Sequence, residues 1–193
     1  MSVRVVVLLS GTGTLCQALL DAIDEGAVDA QVVAVVSDQR DAQGLERARL
    51  RGIPAIAHPL AKGADRAAWD AQLRDIVASY SPDLVASAGF MKLLGPAFLE
   101  SFGGRTINTH PALLPLFPGM HGPRDALRAG VKVSGATVFL VDAGVDTGKI
   151  LLQGAVDVLD DDTVDTLHER IKVVERRLLV KAVAEWSSAP IHN

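Results

Sequence analysis

The stretch "VRVVVLLSGTGTLCQALL", Val3–Leu20, decides how the chain is built. Apart from Arg4, its first residues are apolar at odd and even positions alike, so a strand here is covered on both faces. "SGTGT" breaks the run with two glycines, and "LCQALL" resumes at helical spacing. A doubly covered strand that passes through a glycine turn into a helix opens a parallel sheet with helices on both faces.

That rhythm recurs along the chain. Strands are expected at Val32–Val36, Ala55–Ala57, Leu84–Ser87 and Thr106–Thr109, with helices at Leu15–Glu25, Leu45–Arg51, Arg66–Ser79 and Gly95–Ser101. Repeated strand–helix–strand units imply an α/β, Rossmann-like, mostly parallel twisted sheet. After residue 130 the pattern changes. "VSGATVFLVD" (Val133–Asp142) and "KILLQGAVDV" (Lys149–Val158) flank "AGVDTG", which predicts an antiparallel extension of the sheet near the C-terminus. A last helix follows "LDDDT", capped by Asp162 or Thr163, with Val164, Leu167, Ile171, Val174, Leu178, Ala182 and Trp186 as its apolar stripe. No repeat or long linker interrupts the chain, so one domain spanning residues 1–193 is expected.

Composition narrows the function classes. With 49% hydrophobic and 22% charged residues the chain resembles an ordinary globular protein. A net charge of −4 argues against a nucleic-acid partner, which calls for a basic surface. Cys16 is the only cysteine, so neither an internal disulfide nor a cysteine-based zinc site is available. The apolar run Val5–Leu9 is too short for a signal core or a membrane span, and the chain reads as cytoplasmic, without a membrane partner. The five histidines, at 58, 110, 121, 168 and 192, are scattered, and no metal is expected.

Ligands of such sheets bind beyond the carboxyl ends of the strands. Three segments lie there: "SGTGT", "SAGFMKLL" and "NTHP". The glycine loop admits two readings. Its amides, with the Thr12 and Thr14 hydroxyls, suit a phosphate, but a tight strand-to-helix turn needs glycine anyway. Cys16 occupies the third-glycine place of a dinucleotide fingerprint.

"GRTINTHPALLPLFPG", Gly104–Gly119, is more pointed. Asn108 and His110 are two apart on a strand and so share a face, an amide donor beside an imidazole that titrates near neutrality. A proline-stiffened loop follows. Asp146 either comes alongside His110, where its carboxylate would favour imidazolium, or simply forms the turn with Thr147 and Gly148. Lys172 and Glu175, three apart, read from spacing alone as an exposed helical ion pair.

In order, "SAGFMKLLGPAFL", "INTHPALLPLFPGMHG", "VSGATVFLVDAGVDTGKIL" and "LHERIKVVERRLL" resemble the folate-dependent formyltransferases, from about Val3 to about Trp186. The match is to the branch that formylates the amine of glycinamide ribonucleotide in purine biosynthesis. The resemblance implies 10-formyltetrahydrofolate as co-substrate and a tetrahedral intermediate stabilised by Asn108 and His110, with Asp146 tuning His110. It further implies that Arg66, Met91, Lys92, Leu93, Leu94, Asn108 and Asp142, Ala143, Gly144, Val145, Asp146 meet the folate. Gly11, Thr12, Gly13, Thr14 and Leu15, with Lys172 and Glu175, would meet the nucleotide, and His121 is a further candidate for its phosphate. Both partners are small molecules, and the protein is expected as a monomer or homodimer.

The sequence departs from the family pattern in several places. Thr12 and Leu15 replace asparagines common in that loop, so Leu15 offers only its backbone amide. Lys92 stands for a common arginine and Lys149 for a common proline, and the chain ends in "SSAPIHN" where relatives continue. Three rivals remain from the sequence. A formyltetrahydrofolate deformylase would carry an extra N-terminal domain. A methionyl-tRNA formyltransferase would need an added C-terminal domain and basic surfaces. A nicotinamide oxidoreductase or a non-catalytic nucleotide-binding module would use the glycine loop, with Asp38 on a ribose.

Overall fold

Strand β1 (Val3–Leu9) lies inside the sheet, flanked on both sides by strands from later in the chain. In the computed structural model, which describes residues 2–188, seven strands form one sheet in the order β3-β2-β1-β4-β5-β6-β7. The end of the "SSAPIHN" segment, with His192, lies outside the described residues. The other strands are β2 (Ala30–Ser37), β3 (Ala55–Ala57), β4 (Leu84–Ser87), β5 (Thr106–His110), β6 (Val133–Leu140) and β7 (Ile150–Asp157). The first five run parallel, and β6 and β7 are antiparallel. The sheet is therefore the mostly parallel one expected, with its antiparallel extension.

Alternation along β1 explains the two covered faces. Val5, Val7 and Leu9 enter one core with helices α1 (Thr14–Asp24), α2 (Gln43–Leu50) and α6 (Val164–Ser188). Val6 and Leu8 enter a second core with α3 (Arg66–Ala78) and α4 (Pro96–Phe102). Helix α4 is held at its N-terminus from outside its own sequence, since the buried Asp70 carboxylate accepts from Gly95 N (2.6 Å) and Phe98 N (3.0 Å). Thr163, rather than Asp162, caps α6. Its hydroxyl accepts from Thr166 N (3.2 Å), while Asp162 grips Arg170.

One element is absent from the sequence reading. Helix α5 (Gly122–Ala129) follows the proline-rich loop, with Pro123 in its first turn and Gly130 closing it in the left-handed conformation at φ 67°. Both are helix-boundary signals, but within a run of prolines and glycines they read as more loop.

Chain order places the site. The chain leaves β1 outward to β2 and β3, then returns across the sheet to β4 on the other side of β1. The crevice between the ends of β1 and β4 is thus a topological switch point.

Candidate active site

β5 lies between β4 and β6, so its backbone is fixed on both sides. Asn108 and His110 project to one face and Thr109 to the other. His110 is buried. Its Nδ1 lies 3.4 Å from Asp146 Oδ2, and its Nε2 lies 2.8 Å from the carbonyl oxygen of Phe117. Each ring nitrogen faces an acceptor oxygen. Asn108 is half-buried, and among the described residues its amide has no protein partner. An unengaged donor thus stands beside an oriented imidazole.

The structure brings Asp146 to His110 from the turn between β6 and β7. It adopts φ 55°, an uncommon conformation for a residue with a side chain, and its Oδ2 also accepts from Gly119 N at 2.7 Å. Asp146 is therefore both a turn residue and a neighbour of the histidine.

The proline-rich loop is anchored to the sheet. Thr137 of β6 donates to the Ala112 carbonyl (2.7 Å) and accepts from Leu114 N (3.0 Å), and Gln153 of β7 donates to the Leu114 carbonyl (2.8 Å). Farther along, Phe117 and Gly119 are held by His110 and Asp146 themselves. These contacts use backbone atoms of the loop, which leave no trace in residue type. His121 is exposed and occupies the N-cap position of α5.

The glycine loop has a structural reason for one glycine and none for the other. Gly13 has φ 72°, and a Cβ there would lie 2.6 Å from Gly44 Cα. Gly11 is exposed, and a Cβ on it would meet nothing within 4 Å. Arg47 braces the loop through the Thr12 carbonyl (2.8 Å), and Gly44 N donates to the Gly11 carbonyl (3.1 Å). The N-terminus of α1 has no side-chain cap and no acid in its first turn, unlike α3, which Asp65 caps. Thr12 and Thr14 are exposed, while Leu15 packs against the core. Cys16 is fully buried, and burial pushes its thiol up to about 12, so it is a core residue and no nucleophile.

Across the switch point, Met91 and Leu93 are exposed at 64% and 61%, and Lys92 and Leu94 are partly covered. The Arg66 guanidinium donates to the Leu93 carbonyl and lies 4.6 Å over the Trp69 ring, which stacks on His58 at 5.1 Å. In the turn after β6, Asp142 accepts from Gly144 N (3.0 Å) and Thr147 Oγ1 (2.7 Å). Ala143, Gly144 and Val145 are exposed. Apolar Met91, Leu93 and Val145 are uncovered on segments that flank Asn108. No group of three or more His, Cys, Asp or Glu side chains is placed to hold a metal among the described residues.

The exposed ion pair expected between Lys172 and Glu175 does not form. Lys172 pairs with Glu169 (2.6 Å), and Glu175 turns inward, only 5% exposed. Burial pushes its carboxyl up to about 7, against the opposing pull of Thr109, Lys172 and Arg176. The Thr109 hydroxyl is near enough to favour the ionised form, yet it completes no hydrogen bond and stays unpartnered. Inward rotation wins because residues 171, 175, 178 and 182 all lie on the stripe that meets the sheet.

Asp38, which an oxidoreductase would need on a ribose, has a fully covered side chain bonded to Ser10 at 2.5 Å. That rival loses its second contact. A buried histidine against a carboxylate, an unengaged amide and an open glycine loop lie on one sheet rim.

The chain belongs to the formyl transferase family, whose model matches residues 3–183. It is an enzyme that transfers a formyl group. It is 59% identical over 181 residues to the phosphoribosylglycinamide formyltransferase of Mycobacterium tuberculosis, covering 94% of this chain and 83% of that protein. Among solved structures it resembles glycinamide ribonucleotide transformylase 1 from Symbiobacterium toebii, with a TM-score of 0.94 and 45% identity over 97% of this chain and 88% of that one. The phosphoribosylglycinamide formyltransferase of Brucella melitensis matches with a TM-score of 0.91 and 38% identity, covering both chains fully (100%).

Proposed function

We propose that this enzyme moves the formyl group of 10-formyltetrahydrofolate to the amine of glycinamide ribonucleotide, in the cytoplasm, as a step of purine biosynthesis. The observation that carries the reading is the 3.4 Å approach of Asp146 to His110, beside the unengaged Asn108 amide. Bound folate supplies an activated formyl carbon. Asn108 donates to the formyl oxygen as negative charge develops there, a contribution of about 10²–10³ in rate. His110, with a water ordered by Asp146, carries the proton from the attacking amine toward the departing nitrogen, worth roughly 10²–10⁴. Asp146 fixes the ring and balances its charge.

The nucleotide phosphate lies on Gly11–Leu15, where the bare Gly11 backbone and the uncapped α1 terminus offer amides. Lys172 is the nearer candidate for the sugar end of the same substrate, because Glu175, the other candidate on this helix, is only 5% exposed. Arg66, Met91–Leu94 and Asp142–Asp146 wall the folate, and all these roles fall within one domain. The names of the relatives favour this acceptor over water or a charged tRNA.

Incubation with 10-formyltetrahydrofolate, with and without glycinamide ribonucleotide, tests it through the folate absorbance. Folate release only with the nucleotide is expected. Release without it would indicate a deformylase and overturn the assignment of the acceptor.

A further inference from the structure

Asp38 stands just past the last residue of β2, and its carboxylate is wholly shielded from solvent. Carboxylates are almost never fully buried unless paired. This one has partners from three strand ends. Ser10 Oγ donates to Oδ1 at 2.5 Å, Gln39 Nε2 donates to Oδ2 at 2.9 Å, and the Lys92 ammonium lies 3.6 Å from Oδ2. Ser10 passes the connection on, since its hydroxyl accepts from Met91 N (2.8 Å) and its own N–H donates to the Gly89 carbonyl (3.0 Å).

The sheet does not depend on these bonds. β1 already pairs with β2 as far as Leu9↔Ser37 and with β4 as far as Leu8↔Ser87. A buried charge with such partners is also a poor stabiliser compared with an apolar side chain of similar volume. Past the ladders one backbone bond, from Ser10 N to the Gly89 carbonyl (3.0 Å), still joins the two segments, and the carboxylate adds side-chain links on either side of it. Ser10 leads directly into Gly11–Thr14, and Met91 and Lys92 belong to the wall across the crevice. One buried group therefore ties together side chains of two loops that the proposed function gives to different substrates.

We propose that Asp38 is a positioning residue for formyl transfer, holding the nucleotide loop and the folate wall in one register across the switch point. It touches neither reacting group, and it acts through Ser10 and Lys92. The inference rests on the substrate assignment above. Asp38→Asn keeps the shape and removes the charge, and Ser10→Ala removes both hydroxyl links while emptying little space.

The experiment varies both substrates in steady state for the two variants. Asp38→Asn should raise KM for nucleotide and for folate by about tenfold each, the scale of one charge-assisted hydrogen bond, with kcat within about threefold. Ser10→Ala should show the same double rise at about threefold, and it carries the test if the Asn variant does not fold. A lowered melting temperature with both KM values unchanged would make Asp38 a plain structural residue and overturn the proposal, as would a rise for one substrate alone. Amide exchange separates this from the substrate assignment. Joint loosening of residues 10–14 and 89–94 in Asp38→Asn supports the coupling even if the wild type formylates no glycinamide ribonucleotide, and loosening of one segment or neither removes it.

Discussion

The loop after β1 and the last residues of β5 lie on the same rim of the sheet, but they are made in opposite ways. Gly11–Thr14 presents backbone, and backbone and a guanidinium brace it, through Gly44 and Arg47. Asn108–His110 presents side chains, and side chains from distant elements meet it, Asp146 above all. The first design does not depend on side-chain chemistry, because every residue but proline supplies an amide, but it depends on glycine where space or backbone angle demands it. The second fails with the loss of one atom group. Substitutions should therefore act on rate at β5 and on fold or affinity at the glycine loop.

The largest effects are expected at β5. His110→Ala should lower kcat by roughly 10²–10⁴ and Asn108→Ala by about 10²–10³, with melting temperatures close to wild type. Asp146→Asn should cost much of what His110→Ala costs, and far less when added to His110→Ala, since groups acting as a unit are not additive. Steady-state rates of the single and double variants decide this. Full additivity, with a fall in melting temperature, would make Asp146 a turn residue only, and the contrast between the two regions would weaken.

Beneath β5 the next effect concerns stability. Glu175, with its carboxyl raised to about 7 from an ordinary 4.5, holds its proton in the folded protein at pH values where the unfolded chain has lost it. The folded state then binds more protons between about pH 4.5 and 7, so this group's contribution to stability falls as pH rises through that window and levels off above it. The full swing is roughly 3 kcal/mol. Glu175→Gln should remove it. Urea unfolding of variant and wild type at pH 5 and pH 8 should show the Gln variant gaining on the wild type toward pH 8. A constant difference would mean that Glu175 is ionised throughout.

The same contrast explains what was legible in the sequence. β1, with Val5, Val7 and Leu9 on one side and Val6 and Leu8 on the other, announces a doubly covered strand, and the sheet follows from it. Asn108 and His110 are legible because two polar side chains at the end of a buried strand have few other uses. Glu175 is not, because helical spacing fixes which residues share a face but not how far that face is covered. Phe117 and Gly119 are not, because they act through backbone atoms. Asp38 was visible only as a ribose partner, since nothing in residue type shows a carboxylate turned toward Ser10. Helix α5 was hidden by the prolines and glycines that also bound it.

The smallest expected effect sharpens the contrast most, because it divides the glycine loop within itself. Gly13→Ala forces a side chain into φ 72° and brings its Cβ 2.6 Å from Gly44 Cα, a backbone atom that cannot rotate away. The left-handed conformation alone costs about 1–2 kcal/mol, and the contact adds to it, so a loss near 2 kcal/mol or more is expected in urea unfolding. Gly11→Ala meets no atom within 4 Å and needs no unusual backbone angle, so stability should change by less than about 0.5 kcal/mol. If a phosphate approaches that bare backbone, however, the added methyl stands in its path. KM for glycinamide ribonucleotide should then rise about tenfold while the folate KM holds, the size expected from losing one charge-assisted amide contact. Both KM values unchanged in a stable Gly11→Ala enzyme would leave the loop as a turn that happens to contain two glycines. The phosphate would then have to sit elsewhere on the rim, and the division between a backbone-built and a side-chain-built half of the site would fall.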